Sequence, residues 1–473
     1  MEITIYEEGE SSRFNYPEPI REFTEVERNN LKKQVTIYAG EAEKLKEEAQ
    51  RGSTSCIYRV LPQLKESNGD SLYEPNKVSI GPYYYKLRNE KFKMAEDCKK
   101  KCFGSWLVKN RDQDMQINTY MSCLQRISKL EVKIRKCYSE EFEVAGIEFL
   151  EMMVVDACFI IEIIEMFGFG KKFYNRESDL GALAWMVPYF YRDFLLLENQ
   201  IPFFVLEEIY ALTHNISVKE STLTLQVAAV EFFAKGMKRF YFTRWDNHEM
   251  DGVLVSHLLD LVRRSLIPSN IGQGLIPSNI VREEIVMLGR PFIHCISKLQ
   301  LAGIKVSLVM ADSSFLGVKF KKGVIEMPNI AIDDLTRCLL LNCVAFEQCQ
   351  FVPISRRYFS VYATFLDCLV NTKEDVEYLR ERNVIDNYLT DDSELAGFIN
   401  RVGKDLVLDY DDFYMVQLFE DVDRHYRNRW KWKWASFERE YFDKPWLLLS
   451  AAGGILLVVA TSVQAVMAFL TYK

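Results

Sequence analysis

Histidine is scarce, five in 473 residues, and no two stand at a metal-binding spacing such as H-E-x-x-H. None of the eleven cysteines forms a C-x-x-C pair, and their number is odd. These absences exclude the common zinc-ribbon and thioredoxin-like patterns and fit reduced, mostly buried thiols. There is no G-x-x-x-x-G-K-[ST] phosphate loop and no G-x-S-x-G nucleophile elbow; "FGFGKK" at Phe167 is too short and follows a helical pattern rather than a strand. The start, "MEITIYEEGESSRFNYPEP", is acidic and polar, so no secretory signal is expected. Basic surplus is also missing. The net charge is −8, which argues against nucleic acid as a partner, and no cofactor is expected.

What is present is an ordinary globular balance, 48% hydrophobic and 27% charged, in a chain long enough for a large core. Residues 1–50 read as a flexible lead (1–24) followed by a charged, exposed helix from Glu25 to Arg51 that ends at Gly52. Residues 51–444 form the main domain. Its first part, residues 56–86, mixes prolines, glycines and short β-branched pieces, which predicts extended structure and turns. Helical patterns dominate from about Glu90. Residues 303–332 alternate apolar and polar positions around Lys321-Lys322-Gly323 and predict a small antiparallel β-meander, with helices resuming at Asp333. "LIPSNI" occurs at Leu266 and again at Leu275, as in an expanded surface loop. The fold class is therefore mainly α: a large helical domain with a small antiparallel sheet.

Two stretches carry candidate sites. Glu148 to Phe167 is a long apolar run, but Glu148, Glu151, Glu162 and Glu165 fall within about 100° of one another on a helix and form one solvated stripe. Asp156 lies about 130° from the stripe's centre. A carboxylate there lacks water and needs a partner. In "DFLLLENQIPFFVLEEIY", Glu198, Asn199 and Gln200 separate two apolar runs, and Pro202 disfavours helix at Ile201. One helix should end near Glu198 to Gln200 and another begin at about Pro202. Asn199 and Gln200 can then bond the orphan backbone groups at the break. The competing reading makes Glu198 a catalytic acid or base; no histidine stands near it in sequence, and the hinge reading is preferred. Cys98 and Cys102 share a helix face but have no supporting ligand set. Cys338, Cys343 and Cys349 read as core thiols. Asn215-Ile216-Ser217 is a lone glycosylation sequon.

The C-terminus differs in kind. Residues 445–473 read as an anchor: from Pro445 to Tyr472 there is no charge, and Trp446 to Leu470 as a helix would span about 37 Å, enough to cross a hydrocarbon core of about 30 Å. Just before it, "RHYRNRWKWKW" carries five Arg/Lys and three Trp. Beside a span, Arg429, Trp430, Lys431, Trp432, Lys433 and Trp434, with Trp446, make a headgroup-level belt that contacts membrane lipids. The basic excess on this side places the large domain in the cytosol. Ser450, Gly454, Thr461, Ala465 and Ala468 fall within about 60° and form a seam through which two spans could pack, so a homo-oligomer is a further expectation.

"LLLENQIPFFVLE" resembles the signature of a large plant family, the domain of unknown function 247 proteins (DUF247, also UPF0481). "CIYRV", "YEPNKVSIGPY", "RKCYSEEFE", "DACFIIEI", "FLGVKFKKGVIEMPNIAIDD", "NCVAFEQC", "FLDCLVNTKEDVEYL" and "YFDKPWLLLSAAGGILLV" match it in order, over about residues 50–473. Two features depart from the family pattern. Tyr84, Tyr85 and Lys86 stand where His and Gly usually follow "SIGPY", and Leu61 is added between Val60 and Pro62. The resemblance implies a plant protein with a mostly helical domain, a C-terminal anchor and no known reaction; some grass members are linked to pollen self-incompatibility. Two functional readings follow. One is a tail-anchored recognition or signalling module with an unidentified protein partner, at the plasma membrane or an endomembrane. The other is a membrane-tethered enzyme of unknown chemistry.

Overall fold

In a computed structural model the chain divides into two units, Met1–Ser53 and Thr54–Lys473. The structure describes residues 24–108, 112–168, 185–238, 240, 242, 254–268, 293–309, 314–349, 356–404, 406–407, 413–441 and 445–471. The expected lead before Thr24, the second half of the first "LIPSNI" and all of the second, and the lysines of "FGFGKK" lie outside the described residues.

The first unit contributes one long helix, α1 (Glu25–Thr54). Its start is a reciprocal cap: Thr24 N–H donates to Glu27 Oε2 at 2.9 Å, and Glu27 N–H donates to Thr24 Oγ1 at 3.3 Å. The helix continues past Gly52, the expected end. A glycine costs a helix only about 1 kcal/mol relative to alanine, so it weakens rather than terminates this one.

In the second unit the central element is α6 (Gly146–Gly168), buried along most of its length. Glu148 and Glu151 on its stripe are exposed, and Glu162 and Glu165 half-buried. Around it pack α3 (Lys93–Val108), α4 (Gln113–Ser128), α8 (Phe203–His214) and α9 (Val218–Gly236). Short helices α2 (Pro62–Asn68), α5 (Glu131–Lys136) and α7 (Val187–Asp193) flank this group. α10 (Leu258–Ser265) joins α9 to a second helical group: α12 (Asp334–Cys349), α13 (Tyr358–Leu369), α14 (Lys373–Glu381) and α15 (Asp392–Val402), preceded in the chain by α11 (Ile296–Leu301). One apolar cluster runs through both groups, from Ile57 to Val422. The chain ends in α16 (Val416–Arg427), α17 (Arg429–Tyr441) and α18 (Pro445–Thr471), completing eighteen helices among the described residues.

The protein is mainly α with little sheet, but the sheet is not wholly antiparallel. β2 (Lys319–Lys321) and β3 (Val324–Met327) form the expected hairpin, with Lys322 and Gly323 at positive φ in the turn. β1 (Lys305–Leu308) pairs with β3 in parallel, because the connection after β1 is long enough to cross back. β4 (Ile330–Ile332) does not join them. It pairs in parallel with β5 (Ile385–Asn387), and α12, α13 and α14 form the crossover. β5 also interrupts the helices expected to run unbroken from Asp333.

α18 contains one stretch, Ala452–Leu470, long and apolar enough to cross a membrane, and none of it is buried within the protein. Ser450, Gly454, Thr461, Ala465 and Ala468 all lie on this helix. Open space surrounds Gly454, and the Thr461 hydroxyl donates back to Leu457 O at 2.8 Å.

Candidate functional site

The segment 56–86 forms no strand. It has a single parallel bridge, Ile57 to Tyr138, and two short 3-10 turns, at Asp70–Leu72 and Tyr85–Leu87. Its backbone polar groups must therefore find partners elsewhere. They find them in buried side chains of α6 and of the turn after α7.

That turn corrects one boundary. α7 ends at Asp193, five residues before Glu198. Leu195 to Gln200 is a turn, because its polar side chains are used to hold other backbone. Asn199 Nδ2 donates to Asp193 O at 2.8 Å and to Val78 O at 2.9 Å, while its Oδ1 accepts from Ile80 N–H at 2.7 Å. Gln200 Nε2 donates to Phe194 O and Leu196 O, both at 2.8 Å, and so closes the turn on itself. Pro202 is the N-cap of α8 and takes no side-chain cap bond. Asp193 extends the same pattern: it accepts from the N–H groups of Asn76, Lys77 and Val78 at 3.0, 2.7 and 2.9 Å. Burial pushes its carboxyl up, against the pull of those three donors.

Glu198 is 1% exposed and fully engaged. Its Oε1 accepts from Val60 N–H at 2.8 Å and from Lys65 Nζ at 2.7 Å. Its Oε2 accepts from Arg59 Nη1 at 2.9 Å and from the Tyr84 hydroxyl at 2.6 Å. Burial would raise this carboxyl, but the donors from Lys65, Tyr84 and Val60 hold it below the usual range. Burial, together with the Glu198 charge, pushes the Tyr84 phenol well up. The two departures from the family pattern can both be located. Tyr84 supplies a bond to Glu198, and the added Leu61 sits at the N-cap of α2, half out in solvent.

Asp156 is wholly buried on α6. Arg88 grips it with Nη2 at 2.6 Å from Oδ2 and Nη1 at 3.1 Å from Oδ1. Lys99 Nζ lies 2.7 Å from Oδ1, and Gly81 N–H donates to Oδ2 at 2.8 Å. Lys99 also donates to Ser79 O and, at 2.6 Å, to Glu96 Oε1; Arg88 Nη2 donates to Gly81 O at 2.9 Å. Burial would raise the Asp156 carboxyl, yet Arg88 and Lys99 bring it below its ordinary value. Burial and the Arg88 charge lower the Lys99 ammonium. Two cations and two carboxylates make the set neutral, the condition under which buried charge is tolerated.

These residues act as one clasp. Asp156, Asp193, Glu198 and Asn199 fasten residues 60–84 onto the helical core through backbone as well as side chains. Gly81 is the tightest point: it has φ +70°, and a Cβ there would stand 2.5 Å from Gln200 O. A carboxylate with every lone pair occupied, and ionised below its normal range, is a poor proton acceptor. The clasp therefore has the chemistry of a structural fastening.

The clasp partners Arg88, Lys99 and Asp193 were not singled out by sequence reasoning, and Tyr84 stood out only as a departure from the family pattern. Lys99 sits in the run Lys99-Lys100-Lys101, which suggests a solvated face. Only its helical spacing from Ala95 and Cys102, both buried, points it inward. His257 was missed as well. Its Nδ1 accepts from Asp260 N–H at 3.2 Å as the cap of α10, so Nε2 carries the proton and donates to Cys56 O at 2.9 Å. Burial lowers its pKa to about 4. All eleven cysteines are free; Cys102, Cys338 and Cys343 are buried, and Cys98 and Cys349 half-buried. No metal-holding cluster of His, Cys, Asp and Glu occurs among the described residues. A surface pocket of about 510 Å³ is lined by Val60, Pro62, Lys65, Glu66, Gly69 and Asp70, with Lys65 already bonded to Glu198.

The basic-aromatic run spans the end of α16 and the start of α17, which precedes α18. Arg429, Lys431 and Lys433 are exposed, as are Trp430, Trp434 and Trp446. Trp432 is half-buried and donates its indole N–H to Tyr426 O at 2.6 Å, while Lys433 lies over the Trp430 ring at 5.1 Å.

The model of one family, described as plant protein of unknown function, matches residues 57–460. The chain belongs to the DUF247 family. Among curated DUF247 relatives, the Arabidopsis thaliana UPF0481 protein At3g47200 is 30% identical over 430 residues, covering 88% of this chain and 87% of that protein. A second Arabidopsis thaliana UPF0481 protein, At3g02645, is 24% identical over 501 residues, covering 87% of this chain and 89% of its own. No solved structure matches. The matched DUF247 region contains the whole clasp and most of α18.

Proposed function

We propose that this DUF247 protein is a tail-anchored binding module: α18 crosses a membrane, α17 lies in its interface, and the large domain presents a rigid surface to a protein partner in the cytosol. The observation that carries this reading is α18 itself, whose 19-residue stretch Ala452–Leu470 is left uncovered by the other described residues. A mainly apolar stretch of this length in water would be a large exposed patch, and lipid removes that cost. The indoles and cations of α17 stand where headgroups would meet them. Recognition is favoured over a tethered enzyme because Glu198, the candidate catalytic acid, and the buried Asp156 are both occupied in fastening the fold.

The test is alkaline extraction of membranes from cells expressing the full-length chain or a chain lacking residues 445–473. The full chain should stay in the pellet and the truncated chain should be released. Release of both would overturn the anchor. A tagged full chain, solubilised mildly, should then retain one stoichiometric protein partner that a Trp430→Ala/Trp434→Ala variant also retains; turnover of a small molecule with no such partner would favour the enzyme instead.

A further inference from the structure

We propose that α1 is the strand of a parallel two-stranded coiled coil, through which two copies of this chain pair. The observation is a register. Leu31, Val35, Tyr38 and Ala42 recur at spacings of four, three and four, and the sequence continues the alternation at Leu45 and Ala49. That is the a/d repeat of a coiled-coil seam over three heptads, with Val35, Ala42 and Ala49 at a, and Leu31, Tyr38 and Leu45 at d. Among the described residues Leu31 is 43%, Val35 64% and Tyr38 62% exposed. Two other large exposed apolar residues, Val26 and Ile37, fall off the seam at f and c.

The flanking charges choose the occupant. In this register Glu27, Gln34, Glu41 and Glu48 occupy g, and Lys32, Ala39 and Lys46 occupy e. In a parallel pair each g faces the e five residues later on the other strand. Glu27 then meets Lys32 and Glu41 meets Lys46, each twice by symmetry. An antiparallel pair would set g against g and e against e, bringing glutamate to glutamate and lysine to lysine. The charges thus favour a second copy of the same helix in the same direction, the direction that two chains held in one membrane also share. Val at a and Leu at d suit two strands. The two alanines and the tyrosine make the seam weak, so pairing depends on the high local concentration that a common membrane provides. The shared direction and the raised local concentration rest on the anchored reading; the register and the charge pairing do not.

The test uses the full-length chain carrying either of two epitope tags, co-expressed in membranes. Val35→Cys, at a, should give a mixed-tag disulfide dimer under a mild oxidant, above the background of the parent's own thiols. Lys33→Cys, at f, should not. Glu41→Lys should reduce the Val35→Cys dimer roughly three- to tenfold, since it creates two like-charge pairs. Adding Lys46→Glu should restore it. Restoration by the second charge change cannot come from misfolding. Alkaline extraction of each variant keeps a failure of pairing distinct from a failure of anchoring. The proposal is overturned if positions 33 and 35 cross-link equally, if position 35 joins a different protein, if an integrated chain gives no mixed dimer, or if the double charge change does not rescue.

Discussion

Removing the Asp156 carboxylate should be among the most damaging single changes in the domain. If Asp156 were simply one hydrogen-bonded acceptor, Asp156→Ala would cost about 1–3 kcal/mol. The structure raises that figure. Lys99 is wholly buried and Arg88 nearly so, and Asp156 is the acid they share at 2.7 and 2.6 Å. Without it, Glu96 alone faces two buried cations, and one positive charge is uncompensated. Breaking a buried pair from one side costs about 3–5 kcal/mol, a large share of the stability of most domains. Restoring neutrality should recover part of it, so Lys99→Met combined with Asp156→Asn should be less destabilised than the two single changes taken together. The assay is urea unfolding of the detergent-solubilised full chain, followed by tryptophan fluorescence and read as the shift in midpoint. A loss below about 1 kcal/mol for Asp156→Ala, or strict additivity in the double variant, would refute the ionic account.

Three other outcomes follow from the clasp. Tyr84→Phe removes one of four donors to Glu198 and should cost about 0.5–1.5 kcal/mol, whereas Glu198→Ala, which strands Lys65 and Arg59 beside a buried void, should cost clearly more in the same unfolding assay. Gly81→Ala should destabilise by about 1–3 kcal/mol or lower the amount of folded protein, because its φ of +70° and the 2.5 Å approach to Gln200 O leave no room for a methyl group. His257 is neutral when folded, with a pKa of about 4 against about 6.5 unfolded, so the unfolded state binds the extra proton between those values. Stability should therefore be intact above about pH 6.5 and fall by about 3 kcal/mol as the pH drops to about 4, and His257→Gln should flatten that part of the profile.

The parts legible in sequence were those with a local or periodic signature. The stripe of glutamates on α6 places Asp156 away from water without knowledge of its partners. The uncharged run after Pro445 marks, by length alone, a helix long and apolar enough to cross a membrane. The hairpin around Lys322-Gly323 follows from its turn residues. What could not be read depends on contacts between distant segments. Arg88 and Lys99 meet Asp156 from 68 and 57 residues away. Asp193 bonds backbone 115 to 117 residues upstream, and a tertiary demand of this kind ends α7 before the expected Glu198. The parallel pairing of β1 with β3, and of β4 with β5, likewise depends on crossovers that alternation cannot show. The helix α1 lies between these cases: its heptad is present in the sequence, but charged residues dominate it, and only the exposure of Leu31, Val35 and Tyr38 makes the seam stand out.

The most direct test of the anchored, cytosol-facing arrangement is protease treatment of sealed microsomes containing the full-length chain, with Asn215 as an internal reporter. Asn215 is exposed at the C-cap of α8, where a glycan could be attached if the domain entered the lumen. Digestion of the large domain without detergent, leaving a protected fragment of about the size of α18 and no glycan at Asn215, is the predicted result. A protected domain glycosylated at Asn215 would contradict it.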